Sequence, residues 1–362
     1  MSDFTSLFDR FQCKEIRNCP GRYILTGTVS GLRPDELAPG ATAREYRVDG
    51  ALDPVVVVRV AGGGIISYRK PDGSYLHTIN SVDGFERKLA QLGITLLADP
   101  FVMIMELHPT AIISERATLG QLVTVGPYSI IEPDTTIGDR CELRGHVTVK
   151  RFSHLGSDNL LHEGAVIGGE PQDLSFAGDE SRLTIGARNK IREGVSINRG
   201  ASQGSETALG SDCFIMAGAH VAHDCKLGDN IIIANNVALA GHVEIEDGAF
   251  ISGGVVIHQF CRIGRLAMVG GNSKIVQDCL PFIITDGMPG RARGLNLVGL
   301  RRAGFRSADI QSLKQAYRVL LRSGLTLDQA IDELGQLGGP AVDHLISFVK
   351  KSKRGFCHQG TD

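Results

Sequence analysis

From Ile113 to Ile275 every sixth residue is aliphatic, with three exceptions. There are 28 such positions, and only Asp173, Asp179 and Gln203 break the run. A strict short period means a solenoid, because each repeat buries its apolar residue only by stacking on its neighbours. Six matches neither the 3.6 of an α-helix nor the 2 of a half-buried strand. It fits a parallel β-helix whose short strands each send one aliphatic side chain inward. With three sides to a coil, one turn takes three hexads, and the 45 glycines of the chain suit so turn-dense an architecture.

The chain has 362 residues, more than one ordinary compact domain holds, so two or three units are expected. Residues 1–105 carry no hexad and read as an N-terminal α+β domain. They contain strand-like runs at 21–31 and 54–60, a hairpin turning at Lys70-Pro71-Asp72-Gly73, and a helix after Ser81. Gly62, Gly63 and Gly64 sit inside a strand pattern with no helix following, so a bulge is expected there and not a phosphate loop. Residues 106–290 are the β-helix, interrupted by two polar, Gly-rich stretches at 168–182 and 198–208, as loops thrown out from a corner should be. Residues 291–362 turn helical, with starts at Ser307, Thr326 and Pro340 and a stop at Gly324, and should cap the open end of the solenoid.

The formal net charge of −2 gives no support for a protein that coats nucleic acid or a membrane surface. The first residues lack a basic n-region with an apolar stretch behind it, and no run approaches 18 apolar residues, so neither a signal peptide nor a membrane span is expected. Eight cysteines are scattered without a CxxC pair, which reads as reduced thiols of a cytoplasmic protein, not a disulfide framework or a zinc site.

The informative polar residues are histidines. His223, His242 and His258 are 19 and 16 apart, each within two of the coil length, and so should lie near one corner of successive coils. His220 precedes His223 by three, and Asp224 follows it. A column of imidazoles is expensive as filler, since each needs partners and charged neighbours repel. Imidazole suits a general base that takes a proton from a sugar hydroxyl or amine attacking an acyl thioester, with backbone N–H groups at glycine corners holding the oxyanion. Two rival readings use the same residues: three histidines holding Zn²⁺, or a non-catalytic spacer.

The strings HPTA (108–111), GGEPQDL (168–174), NRG (198–200), AHVAHDC (219–225), ANNVALAGHV (234–243), HQF (258–260) and GLRRAGF (299–305) occur in this order. Together they resemble the UDP-N-acetylglucosamine O-acyltransferases of lipid A biosynthesis, over about two-thirds of the chain. The resemblance implies a left-handed parallel β-helix, an exception to the usual right-handed crossover. It also implies a homotrimer with active sites in clefts between subunits. The implied reaction moves a 3-hydroxyacyl chain from acyl carrier protein to the 3-hydroxyl of UDP-N-acetylglucosamine without a cofactor. Carried over residue by residue, the general base falls on His223, the acid that orients it on Asp173, and the oxyanion donor on Gly241. Gln172, His220, His242, His258 and Gln259 match substrate contacts, and Asn296 and Arg302 match the nucleotide end. The chain-length ruler falls on Gly271, where a glycine leaves room for a long chain.

Three departures stand out: Ser175 replaces a lysine, Ala303 replaces the second of an arginine pair, and residues 1–105 have no counterpart. They keep open a relative acylating another nucleotide-linked sugar or amino sugar, with acyl-CoA as a possible donor. Lys350, Lys351, Lys353 and Arg354 form a solvated face, or a dock for an acidic carrier protein.

Overall fold

The computed structural model describes residues 106–359 throughout, and before them the backbone of seven strands, Phe11–Asn18, Tyr23–Val29, Thr42–Val48, Val55–Arg59, Tyr68–Arg69, Tyr75–Leu76 and Leu96–Leu97. The helix expected after Ser81 and the triple glycine at 62–64 lie outside the described residues. The chain divides into two units, one of residues 1–111 and 121–127, the other of 112–120 and 128–362.

In the first unit, Phe11–Asn18 pairs antiparallel with Tyr23–Val29. Thr42–Val48 pairs antiparallel with Val55–Arg59 and with Leu96–Leu97. Tyr68–Arg69 and Tyr75–Leu76 form the expected hairpin. Glu106–Leu107 pairs in parallel with Thr124–Val125.

The second unit is the parallel β-helix that the hexads predict, with the left-handed coil that the family resemblance implies. Its strands are mostly two residues long, and each pairs in parallel with the strand one coil away, as Ile130 and Ile131 do with Thr148 and Val149. Three inward stacks result. The first side carries Leu143, Leu161, Ile191, Ile215, Ile233, Ile251 and Val269. The second carries Ile113, Ile131, Val149, Ile167, Ile197, Val221, Leu239, Ile257 and Ile275. The third carries Leu119, Ile137, Leu155, Ile185, Leu209, Leu227, Ile245 and Ile263.

The six-residue count shows only one of two inward positions per hexad. Two residues before most stack residues is a second buried one, either aliphatic, as at Val147, Leu183 and Ile231, or small or hydrogen-bonding, as at Ser129, Thr135, Cys141, Asn159, Asn189, Cys213, Cys225 and Cys261. Asn159 shows why polar side chains are tolerated there. Its Nδ2 donates to the carbonyls of Gly156 and Gly186 at 2.7 and 2.8 Å, and its Oδ1 accepts from the Asn189 N–H one coil on. Buried amides are stable when every atom is paired in this way. The cysteines behave as the small hydrophobes that the sequence implies: all six described are free and buried, and burial pushes the Cys225 thiol up to about 12.

Most corners turn through a residue with φ near +60°, a region that usually selects glycine or asparagine. At the corner between the second and third sides these residues include Asp224, His242 and Phe260. At the corner between the third and first they include Arg140, Asp158, Arg188 and Asp212.

Four helices close the C-terminal end: α1 (Leu297–Arg302), α2 (Ser307–Arg322), α3 (Leu327–Leu337) and α4 (Pro340–Lys350). The three starts read from sequence hold, with Thr326 making a full capping box on α3. The short α1 lacks a periodic signal and is missed. Leu313, Leu334, Leu345 and Phe348 pack with Leu280, Phe282 and Ile283, so the helices bury the end of the solenoid.

Candidate active site

The corner between the second and third sides gathers the polar residues. His223, Gly241 and Gln259 occupy equivalent positions on successive coils, 18 residues apart, and Asp224, His242 and Phe260 occupy the next. The column expected of three histidines is therefore stepped. His223 and His242 lie one position apart, and His258 belongs with Ala222 and Ala240 one position earlier. Their spacings of 19 and 16 already encode this offset. The result is a mixed stack, with the His242 ring edge-on to His223 at 5.3 Å between centroids and face-on to Phe260 at 4.6 Å.

His223 is held from three sides. Its Nδ1 lies 2.8 Å from Asp224 Oδ2, and its Nε2 faces Asp173 Oδ2 at 3.9 Å. Behind it, Gly241 presses its backbone against the imidazole: a Cβ there would come within 2.6 Å of His223 Cε1 and 2.7 Å of Nε2. Gly241 is needed for this close approach, as its neighbour His242 takes the left-handed φ. The Gly241 N–H makes no bond within the protein among the described residues.

The expectation that Asp173 orients the base needs correction. The hydrogen-bonded partner of His223 is Asp224, adjacent in sequence, which the left-handed turn folds back onto Nδ1. Asp224 is itself fixed, since its Oδ2 accepts from the Ala201 N–H at 3.0 Å and its own N–H donates to Thr207 Oγ1 at 2.7 Å. Asp173 faces the other nitrogen, the one open to a ligand. The Ser175 N–H and hydroxyl both donate to Asp173 Oδ1, at 2.8 and 2.7 Å, and hold this carboxyl below the usual carboxylate range, with the charges of His223 and His242 adding to the effect.

The remaining residues named from sequence spread along the same edge and beyond it. His220 points outward on the second side with Nδ1 2.8 Å from Ser196 Oγ, and burial lowers its pKa. His258 and Gln259 are exposed, the former with Nδ1 3.1 Å from the Gln259 carbonyl. Gln172 is exposed beside Asp173. Gly271 lies on the corner between the first and second sides, where a Cβ would meet the Gly253 carbonyl at 3.5 Å, an ordinary contact. Asn296 is buried and fully engaged, its Oδ1 accepting from Gly299 N–H and its Nδ2 donating to the Leu266 carbonyl, so it caps α1. Arg302 is exposed on that helix.

For the metal-binding alternative, ligand atoms of His223, Asp224 and His242 lie within 4.8 Å of one another. His258, its third histidine, is not among them. The set that forms is two imidazoles and a carboxylate, with one nitrogen already bonded to that carboxylate. Sequence reasoning missed the grip on Asp224 from Ala201 and Thr207. It also missed Phe260, although the 18-residue step from His242 points to it.

Comparison with known proteins agrees with this architecture. The family model described as UDP-N-acetylglucosamine O-acyltransferase, domain 2, matches residues 278–357, and the hexapeptide-repeat transferase model matches 116–151 and 206–241. An acyl-[acyl-carrier-protein]--UDP-N-acetylglucosamine O-acyltransferase from Synechocystis is 48% identical over 247 residues, covering 68% of this chain and 90% of the relative. One of the same description from Herminiimonas arsenicoxydans is 43% identical, covering 69% and 98%. Among solved structures, the UDP-N-acetylglucosamine acyltransferase of Francisella novicida superposes with a TM-score of 0.69 at 31% identity, covering 70% of this chain and 95% of that one. The O-acyltransferase of Moraxella catarrhalis gives 0.68 at 40% identity, covering 70% and 100%.

Proposed function

The chain belongs to the UDP-N-acetylglucosamine O-acyltransferase family, an enzyme family that transfers an acyl chain from acyl carrier protein to UDP-N-acetylglucosamine, and from that premise we propose how its residues carry the reaction. The observation that carries the assignment is His223, with Nδ1 bonded to a fixed carboxylate and Nε2 left for substrate.

His223 Nε2 takes the proton of the sugar 3-hydroxyl as that oxygen attacks the thioester carbon. Asp224 holds the ring in the tautomer that leaves Nε2 free to accept, and balances the imidazolium that forms. The tetrahedral oxyanion takes the Gly241 N–H, which no protein group occupies among the described residues. Collapse expels the carrier-protein thiol, which leaves with the proton held by His223. The exchange of a thioester for an ester is redox-neutral and calls for no cofactor. Asp173, kept ionised by Ser175, faces Nε2 across the space where the hydroxyl enters. Gln172, His220, His242, His258 and Gln259 line the path of sugar and acyl chain, while Asn296 fixes the helix that presents Arg302 to the nucleotide. Gly271 leaves the acyl groove open for a long chain.

The working unit is a homotrimer in this reading. The third side turns Thr118, Thr136, His154, Thr184, Lys226 and Glu244 outward, the alternation of a solvent face. The second side instead turns Ile112, Ile130 and Val256 outward, at 66, 38 and 44% exposure, as a surface that meets another copy would. The enzyme is assigned to the cytoplasm on the six free, buried thiols among the described residues; no helix among those residues is long and apolar enough to cross a membrane.

Incubation with 3-hydroxyacyl carrier proteins of graded length and a panel of UDP-sugars and UDP-amino sugars, read by mass spectrometry, tests the assignment. An O-acylated UDP-N-acetylglucosamine with a long chain is the expected product. Preference for an amino sugar or for acyl-CoA would overturn it.

A further inference from the structure

The loop that carries Asp173, residues 170–180, is an exposed insertion, and an exposed insertion does not by itself hold a carboxylate against a base. Two neighbouring residues on the second insertion, Asn198 and Arg199, hold it to the solenoid. Asn198 Nδ2 donates to the Glu170 carbonyl at 2.8 Å, and the Arg199 N–H donates to the Gly169 carbonyl at 2.9 Å. The approach is tight enough that a Cβ on Gly169 would stand 2.9 Å from Asn198 Nδ2. The Arg199 guanidinium then reaches under the loop, with Nη2 3.5 Å from Glu170 Oε1 and its carbon 5.5 Å from the centre of the Phe176 ring and 5.7 Å from that of Phe152. Phe176 in turn donates its N–H to the Asp173 carbonyl at 3.1 Å.

The energetics of Arg199 are those of a residue kept for position, not for stability. Its side chain is 4% exposed, its Nε has no partner, and its one carboxylate lies at a distance beyond a good charge-assisted bond. Buried cations left short of partners oppose folding, and an apolar side chain of the same volume would pack here at lower cost. A guanidinium does what an apolar chain cannot: it attracts a carboxylate and the faces of two aromatic rings at once, and so fixes both ends of the Glu170–Phe176 segment. Three residues from Asn198, Ala201 holds Asp224. One short stretch therefore sets the two acids that flank His223.

We propose that Arg199, with Asn198, is a positioning residue that holds the Asp173 loop so that the carboxylate faces His223 Nε2, and that Ser175 sets the rotamer of that carboxylate within the loop. The inference rests on the assignment of Asp173 and His223 above. It gives Ser175, where the family resemblance leads to a lysine, a definite role, since its hydroxyl and N–H take Oδ1 and leave Oδ2 free to face the imidazole.

The test is a double-mutant cycle on the full chain with acyl carrier protein and UDP-N-acetylglucosamine. Arg199→Met is expected to lower kcat about tenfold, with both KM values changed less than about twofold, because a misplaced group acts on the chemical step. Ser175→Ala should lower kcat about threefold, since the backbone donor remains. Once Asp173→Asn has taken its own toll, adding Arg199→Met should change kcat by less than about twofold, the mark of residues acting through one another. Additive losses would overturn the inference alone and make Arg199 a structural residue. An Asp173→Asn enzyme with native kcat would overturn the reading of Asp173 and the inference with it. Should Arg199→Met fail to fold, Asn198→Ala and Phe176→Leu run the same cycle from the two ends of the clamp.

Discussion

Two corners of the same coil share a backbone and differ in everything else. Both turn through left-handed residues with φ near +60°, coil after coil. Between the third and first sides that position carries Arg140, Asp158, Arg188 and Asp212, paired in twos: Arg140 Nε to Asp158 Oδ1 at 2.7 Å, and Arg188 Nη2 to Asp212 Oδ2 at 2.6 Å. These side chains are 36–58% exposed and fully partnered by each other. Between the second and third sides the position carries Asp224 and His242, and His223 beside them is 12% exposed with one nitrogen left open. Charge of both signs decorates each corner, and only one concentrates it in half-buried groups with an unfilled valence. A polar column on a β-helix therefore becomes a site when its partners are incomplete, not when it is charged.

The comparison breaks most visibly at His223. His223→Ala should cut kcat by about 10²–10⁴-fold, the usual worth of a positioned base, while molecular mass by light scattering stays that of the wild type. Near-native turnover with the true substrate would remove the base from this corner. Gly241→Ala comes next. Its Cβ would stand 2.6 Å from His223 Cε1, so the ring must shift, and a displacement of that order should cost up to about 10²-fold in kcat with little change in melting temperature. Gly271→Met should shorten the preferred acyl chain without abolishing transfer, because a Cβ there meets nothing closer than 3.5 Å and the longer side chain would fill the acyl path proposed above; an unaltered chain-length profile in competition assays would sink the ruler assignment. The smallest effect belongs to the other corner. Arg188→Ala removes an exposed, solvent-screened ion pair, and should leave kcat unchanged and lower the melting temperature by no more than about 3 °C.

How much of this was legible beforehand varied with the physics of each part. The solenoid could be read because its stabilisation is periodic: Ile191, Ile215 and Ile233 meet one another only if the count holds. The second inward position escaped because it mixes aliphatics such as Leu183 and Ile231 with Ser129, Asn159 and Cys213, so no single residue type repeats there. The helix starts at Ser307, Thr326 and Pro340 were legible from local capping chemistry, whereas α1 is too short to show a period. At the site, the histidines and the two insertions stood out in the sequence, as did Asp173. Which carboxylate bonds which nitrogen did not. Asp224 looks like an incidental neighbour of His223 until the left-handed turn brings its Oδ2 within 2.8 Å of Nδ1. Arg199 looked like one letter of a shared string, and its buried, half-partnered guanidinium is invisible without coordinates.

The sequence by itself determined the coil, its three sides, the edge on which the imidazoles gather and the family, since these follow from spacing and from short strings that survive without coordinates. The tertiary structure decided the geometry at that edge on which the proposed roles rest. Roles depend on distances of a few ångströms between residues remote in sequence. Asp173 reaches Nε2 across an insertion, Ala201 and Thr207 fix Asp224, and Arg199 lies beneath the loop, all through packing that no period encodes.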